Sequence, residues 1–393
     1  MKPDISRAIV AGHICLDIIP DMQALTGDQF AAACKPGRLI EIGRAHFSTG
    51  GPVSNTGLAL HRLGIPTRLI CKAGADPFGD IIRGILDEFG RGLGKDMVAA
   101  ADVSTSYSII LSPADSDRIV LHEPGANNSF SLNDIDLSGL AAADLFHFGY
   151  PPIMRSMYAD GGAGLIALFA AVKKSGVTTS LDMCLPDPLS AGGQADWKTI
   201  LQSTLPNVDI FLPSYEELLY MLRRSDYRRL ADRGPVPDEP TLELVHDLSD
   251  ELFAMGISVL VIKMGDQGLY LRTNPATSPA RIGRAAVPDE PAWADKELWI
   301  PCFKVNVVGT NGSGDATIAG FLTALLRGLS AEEAVRAAVA VGACNVEAAD
   351  TLSGLRSWEE TMQRIASGWE QRPLALAGRG WRWDAAARLW RKA

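Results

Sequence analysis

The sequence predicts an α/β fold built on a parallel sheet. Three observations carry this. Short apolar runs alternate with helical patterns along most of the 393 residues, and strands alternating with helices favour parallel pairing. Several of the runs are almost continuously apolar, as strands covered on both faces are. Hydrophobic residues make up 47% of the chain and charged residues 21%, enough to bury a large core without covalent staples.

The expected strands, in chain order, are Ala8–Ile14, Thr67–Cys71, Leu145–Phe148, Thr178–Asp182, Val208–Leu212 and Val259–Lys263. The helical patterns between them fall near Val53–Leu63, Ile81–Phe89, Gly164–Lys174, Tyr215–Arg223 and Leu242–Met255. Leu39–Phe47 and Ser106–His122 break the rhythm. They are β-branched and alternating with no helix between the pieces, and Pro113–Asp117 reads as a hairpin turn. A small antiparallel sheet projecting from the main one is expected there. Segments 223–240 (Arg, Asp and Pro) and 274–297 (Pro and Ala) read as embellishments. Residues 371–393, with Trp381, Trp383 and Trp390, form a tail packed on its own domain or an oligomer contact.

A net charge of −9 excludes a broad basic face for nucleic acid. The six cysteines include no CxxC pair and no zinc spacing, so they read as reduced, mostly buried thiols. The start of the chain lacks a signal-peptide pattern, and no apolar run is long enough for a membrane span. A cytoplasmic chain with no membrane partner is expected. The Asn-x-Ser triplets at Asn127 and Asn311 then match the glycosylation pattern by chance.

The strongest local signal is Val307-Val-Gly-Thr-Asn-Gly-Ser-Gly-Asp-Ala316. A strand-like run enters a turn holding Gly309, Gly312 and Gly314. Ile318, Phe321, Leu322, Leu325, Leu326 and Leu329 then lie on one helical face. Ser330 and Glu333 form a capping box for the next helix. Glycines let several N–H groups point one way, and a helix N-terminus adds partial positive charge, so the turn suits an anion. Asp315 would oppose that anion unless it accepts a proton from an attacking alcohol; its other reading is a helix-dipole acid. No Lys-Ser/Thr follows, so this is not a Walker A loop, and the dinucleotide spacing fails at Thr317.

Near the N-terminus, Ser48-Thr-Gly-Gly-Pro-Val-Ser-Asn55 leads into a helix pattern ending at Leu63-Gly64. Pro52 suits a first helical position. Gly50 and Gly51 permit close approach of a ligand, and Asn55 could offer an amide to hydroxyl groups.

These two motifs, in this order and about 260 residues apart, resemble the paired signatures of the ribokinase-like sugar kinases, the phosphofructokinase-B family. Shorter fragments match in register: Gly12–Asp17 resembles the first strand with its terminal aspartate, Ala73–Gly79 a G-x-D-x-x-G turn, Gly125-Ala-Asn127 the segment after the lid strands, and Lys263–Gly268 a turn of the nucleotide site. The resemblance implies a three-layer α/β/α domain over residues 1–370. It also implies a small β-sheet lid, inserted near 15–48 and 104–124, and transfer of the γ-phosphate of ATP, with Mg2+, to a hydroxyl of a sugar-like substrate. By the same resemblance, Asp315 is the general base, and Gly312, Ser313 and Gly314 form the anion hole. Asp17, Gly50, Gly51 and Asn55 hold substrate; Lys263, Gly265, Gly268 and Thr310 line the nucleotide site; Glu217 reaches magnesium through water. A homodimer through the lid is implied as well.

The sequence departs from the family pattern at three places. Gly309 replaces an aspartate associated with a monovalent-cation site. Ser214 replaces the asparagine of N-x-x-E, with Glu217 kept. Asp182-Met-Cys-Leu-Pro186 lacks the arginine of D-x-N-x-R. A nucleoside kinase of the same family, or a non-catalytic sugar- or nucleotide-binding member, remains the alternative reading.

Overall fold

The computed structural model describes residues 7–116, 118–231, 242–274, 282–285, 292–376, 378 and 380–392. Residues 232–240 of one expected embellishment, 275–281 and 286–291 of the other, and Asp117 of the hairpin turn lie outside the described residues.

In chain order the strands are β1 (Ala8–Gly12), β2 (Cys15–Pro20), β3 (Ala45–Gly50), β4 (Thr67–Gly74), β5 (Met97–Ala100), β6 (Tyr107–Leu111), β7 (Ile119–Glu123) and β8 (Leu145–Gly149). They continue as β9 (Thr178–Asp182), β10 (Ile210–Phe211), β11 (Val259–Lys263), β12 (Leu269–Thr273), β13 (Glu297–Ile300), β14 (Trp381–Asp384) and β15 (Leu389–Lys392). Among the described residues one sheet has eleven strands, in the order β14-β15-β13-β12-β11-β10-β9-β8-β1-β4-β5. It is parallel from β5 to β11 and antiparallel from β11 to β14. The Trp-rich end of the chain thus adds a hairpin to the sheet edge, with Trp299 of β13 paired to Trp390.

The period-2 pleat divides the apolar strand residues between two cores. Ala8, Val10, Val259 and Val261 face a core covered by helices Pro52–Arg62, Ser313–Leu326 and Ala331–Asn345. Ile9, Ala11, Leu260 and Ile262 face the other, covered by helices Arg155–Lys174, Trp197–Thr204, Tyr215–Leu222 and Leu242–Ala254. The result is three layers, α/β/α. Helix Ser313–Leu326 is buried almost all round, between the sheet and its successor, and not only on the face read from the sequence. It stops at Leu326, because Gly328 takes φ +71°, and Leu329 lies beyond it.

Two expectations need correction. Gly12–Asp17 is not one strand: Gly12, at φ +126°, turns the chain out of the main sheet, so Asp17 sits in β2 and not at the end of β1. Leu39–Phe47 is not a continuous strand either. Pairing starts only at Ala45, and Leu39 is 91% exposed, since no neighbouring strand lies opposite it. A helix the sequence reading missed, Gly27–Ala33, begins at a Thr26–Gln29 capping box.

The second sheet has the order β3-β2-β6-β7 and corrects a further expectation: it is mixed and not antiparallel throughout, because β2 and β6 run parallel while β3 and β7 pair antiparallel at its edges. Its register places Ser48, Asp17, Ser108 and His122 in one row, and Phe47, Ile18, Ile109 and Leu121 in the next row, on the opposite face. Asn127 fastens this sheet to the main one. Buried, it donates to Ile14 O over 2.8 Å and accepts from Ile14 N over 3.2 Å, at the link between β1 and β2.

Candidate active site

The parallel strands β1, β8, β9 and β11 all end on one side of the sheet, the usual place for ligands in an open α/β sheet. Two cavities open there. The larger, of about 830 Å³, lies between the strand ends and the second sheet and takes in Asp17, Gly50, Gly51, Asn55, Glu217 and Asp315. The smaller, of about 680 Å³, takes in Gly268 and an apolar wall of Val305, Val339, Ala343 and Val346. Lys263, Gly265, Thr310, Ser313 and Gly314 line both, so the glycine-rich turn is their shared wall. Gly312 lines the larger and caps helix Ser313–Leu326 with φ +68°.

Asp315 lies in the first turn of that helix and is 2% exposed. Its Oδ2 accepts from Asn55 Nδ2 over 3.0 Å and from Tyr150 OH over 2.9 Å, and its Oδ1 from Thr56 Oγ1 over 3.1 Å. The donors come from helix Pro52–Arg62 and from the residue after β8. Asn55 Oδ1 is buried without a partner among the described residues, leaving an acceptor on the cavity wall. Tyr150 was not foreseen in the sequence. It holds φ +64°, a conformation that costs roughly 1–3 kcal/mol for a non-glycine residue. Burial and then the Asp315 charge push its phenol well above the usual range, so it remains a donor.

Asp17 sits where the lid row meets the glycine pair. A Cβ on Gly50 would come within 2.6 Å of its Oδ2, and Gly51 holds φ +90° at the start of its helix. Burial raises the Asp17 carboxyl to about 6, against hydrogen bonds from Cys15 and Ser108 and the charge of Arg118. Beside it, His13 Nε2 lies 3.4 Å from His122 Nε2. Burial holds both imidazoles below their usual range, and for His13 the neighbouring His122 adds to this.

Lys263 Nζ lies 2.6 Å from Asp182 Oδ1. Burial works against its charge, yet Asp182, Glu217 and Asp315 more than offset this and hold the ammonium protonated. Asp182 Oδ2 is buried with no partner among the described residues. Glu217 Oε2 accepts from Ser214 N over 2.6 Å, completing the capping box that starts helix Tyr215–Leu222. At Gly309 a Cβ would lie 2.9 Å from Ala348 O and 3.0 Å from Ala349 O, so the loop has closed over the space a side chain would need.

The residues proposed from the sequence therefore fall into two adjoining groups. Of those missed, Tyr150, Thr56 and the wall of the smaller cavity have no motif of their own, and Asp182 was read only as the head of the altered D-x-N-x-R pattern, with no role in the site; a tyrosine straight after an apolar strand was the only cue for Tyr150.

A family model described as pfkB family carbohydrate kinase matches residues 7–358. An uncharacterised sugar kinase of Archaeoglobus fulgidus is 27% identical over 299 residues, covering 76% of this chain and 98% of that protein. A probable chloroplastic fructokinase-6 of Arabidopsis thaliana is 24% identical, covering 90% and 81%. Among solved structures, Arabidopsis thaliana ribokinase complexed with ribose and ATP superposes with a TM-score of 0.68 at 20% identity, over 92% of this chain and 98% of that one. Fructokinase with bound ATP from Xylella fastidiosa also gives 0.68, at 17% identity, with the same coverage.

Proposed function

Since the chain belongs to the pfkB family of carbohydrate kinases, we propose that it transfers the γ-phosphate of ATP to a hydroxyl of a sugar or sugar-like acceptor held in the larger cavity. It is an ATP-dependent carbohydrate kinase. The observation that carries the finer reading is the position of Asp315: a buried carboxylate, held by three donors, beside the glycine-rich wall shared by two cavities.

In this reading Asp17 and Asn55 Oδ1 accept hydrogen bonds from acceptor hydroxyls, and Gly50 and Gly51 let the acceptor approach the backbone. Asp315 takes the proton of the attacking hydroxyl. The N–H groups of Gly312, Ser313 and Gly314 at the helix start meet the charge that develops on the phosphoryl oxygens. Lys263, with Gly265, Gly268 and Thr310, cradles the phosphates of ATP, and the apolar wall of the smaller cavity takes the base. Little covalent work falls to the protein, because positioning and charge stabilisation supply most of the catalysis in phosphoryl transfer.

Magnesium fits the residues present. Asp182, Glu217 and Asp315 put three carboxylates around the single ammonium of Lys263, and Asp182 Oδ2 is left over. Glu217, through water, and Asp182 would hold the ion, which when bound neutralises phosphate charge.

The test is ATP consumption and 31P NMR of the products across a panel of sugars, sugar acids and nucleosides. A phosphorylated sugar is the expected product. Turnover of nucleosides alone would reject the sugar assignment, and ATP binding without any product would make the chain a non-catalytic binder. We also take the lid as a dimer contact, supported by the apolar row Phe47, Ile18, Ile109 and Leu121, whose end members are each 52% exposed. Light scattering should then give a dimer that Leu121→Glu splits; a monomeric wild type would overturn it.

A further inference from the structure

The two imidazoles and the thiol at the entrance to the lid are not used by the phosphoryl transfer described above. His13 lies in the link between β1 and β2, and Cys15 opens β2. His122 reaches the same point from β7, through the row Asp17, Ser108, His122. The ligand atoms of His13, Cys15 and His122 all lie within 4.8 Å of one another. His13 is 2% and Cys15 4% exposed.

We propose that His13, Cys15 and His122 form a binding site for a zinc-like transition-metal ion, which bridges the lid to the main domain and blocks the sugar cavity. The separation of the two Nε2 atoms, 3.4 Å, is that of two nitrogen ligands about 2.0–2.1 Å from a tetrahedral zinc ion. The donor set, two imidazoles and a thiol, favours zinc, cobalt or copper over magnesium, which takes oxygen ligands. It is therefore distinct from the carboxylates around Lys263.

An outer partner is already in place. Ser108 Oγ lies 3.1 Å from His122 Nδ1 and 3.6 Å from Cys15 Sγ. A proton on His122 Nδ1 donated to Ser108 leaves Nε2 free as a metal ligand, the usual way a histidine ligand is oriented. Without metal, one Nε2–H donates to the other Nε2. On binding, His13 carries its proton on Nδ1, which has no partner among the described residues. The Cys15 thiol gives up its proton to solvent as the metal–sulfur bond forms, so one proton is released and no oxidant or reductant is needed. The fourth position opens on the cavity beside Asp17, 3.3 Å from Cys15 Sγ. An ion there excludes the acceptor, and this consequence alone rests on the function proposed above.

Cobalt(II) is the probe, added to the full-length, chelator-treated enzyme without ATP or sugar. One ion per chain is expected, with the intense visible bands of a tetrahedral site and a sulfur-to-cobalt charge-transfer band, both displaced by zinc. Cys15→Ser should lose the charge-transfer band. His122→Ala, on an exposed strand where folding is not at risk, should weaken binding by at least about tenfold, and Ser108→Ala by roughly 10–100-fold. Zinc should inhibit turnover competitively with the sugar, with magnesium saturating. Weak octahedral bands in the wild type, a charge-transfer band that survives Cys15→Ser, or unchanged affinity in His122→Ala would overturn the site. Tetrahedral binding without competition would overturn the block. Binding is read without substrate, so the test of the site is independent of the enzyme's activity; only the block is read from turnover.

Discussion

Asn55 donates its side-chain amide to Asp315 over 3.0 Å, although the two stand 260 residues apart in the chain. The bond joins the starts of two helices, each preceded by a glycine at positive φ. It ties the proposed acceptor wall to the proposed base, so the two halves of the site are set by one contact.

Replacing Asp315 with Asn keeps the shape but removes the proton acceptor. General-base help is typically worth about 10²–10⁴ in rate, so kcat should fall by roughly two or more orders of magnitude. ATP affinity should be retained or tighten, because a negative charge leaves the neighbourhood of the phosphates. Steady-state turnover and calorimetric ATP binding check this, with thermal melting to verify folding, since one of the three donors then faces an NH2 group. Turnover within a few-fold of wild type would leave Asp315 as a helix-capping acid.

Asp17 offers only hydrogen bonds, from the lid side of the larger cavity. Hydrogen bonds to a charged group contribute about 1.5–3 kcal/mol, so Asp17→Ala should raise the KM of the sugar roughly 10–100-fold and leave the KM of ATP nearly unchanged. Equal effects on the two substrates would reject its assignment to the acceptor.

The loop around Gly309 has no room for a side chain beside Ala348 O and Ala349 O. Activity should therefore depend strictly on magnesium and only weakly on potassium. The comparison is turnover in potassium against a large organic cation at constant ionic strength. A strong potassium requirement would show that backbone carbonyls complete a cation site without the missing carboxylate.

His147 is buried in β8, with Nδ1 2.9 Å from Ser180 Oγ and Nε2 without a partner among the described residues. Burial, and then the Lys263 charge, lower it to about 3. The unfolded chain titrates this group near its free value of about 6.5, so below that pH the unfolded state takes up a proton that the folded state refuses. The stabilisation is complete above the unfolded value and is lost as the pH falls toward the folded one, at up to roughly 1.4 kcal/mol per unit. His147→Asn should make the unfolding free energy less steep in pH between about 6 and 4. Urea unfolding of both proteins across that range decides it, and identical slopes would sink the idea.

What the sequence determined by itself was whatever depends on neighbours in the chain. The almost unbroken apolar runs of β1 and β11 marked strands covered on both faces, because successive residues of a pleat face opposite sides and each side meets a core. The Ser330–Glu333 capping box and the glycine-rich turn before helix Ser313–Leu326 were legible because a cap and a left-handed residue are local backbone requirements. Tertiary structure alone decided what meets across elements. Asp17 was read onto the wrong strand, because nothing local says that the chain leaves the sheet at Gly12. Tyr150 and Thr56 joined Asp315, and His122 joined His13 and Cys15, only once separate strands and helices had packed. Side-chain convergence of that kind depends on sheet order and register, which short-range spacing does not fix, and the electrostatics of Asp17 and Lys263 follow from the burial that this packing creates.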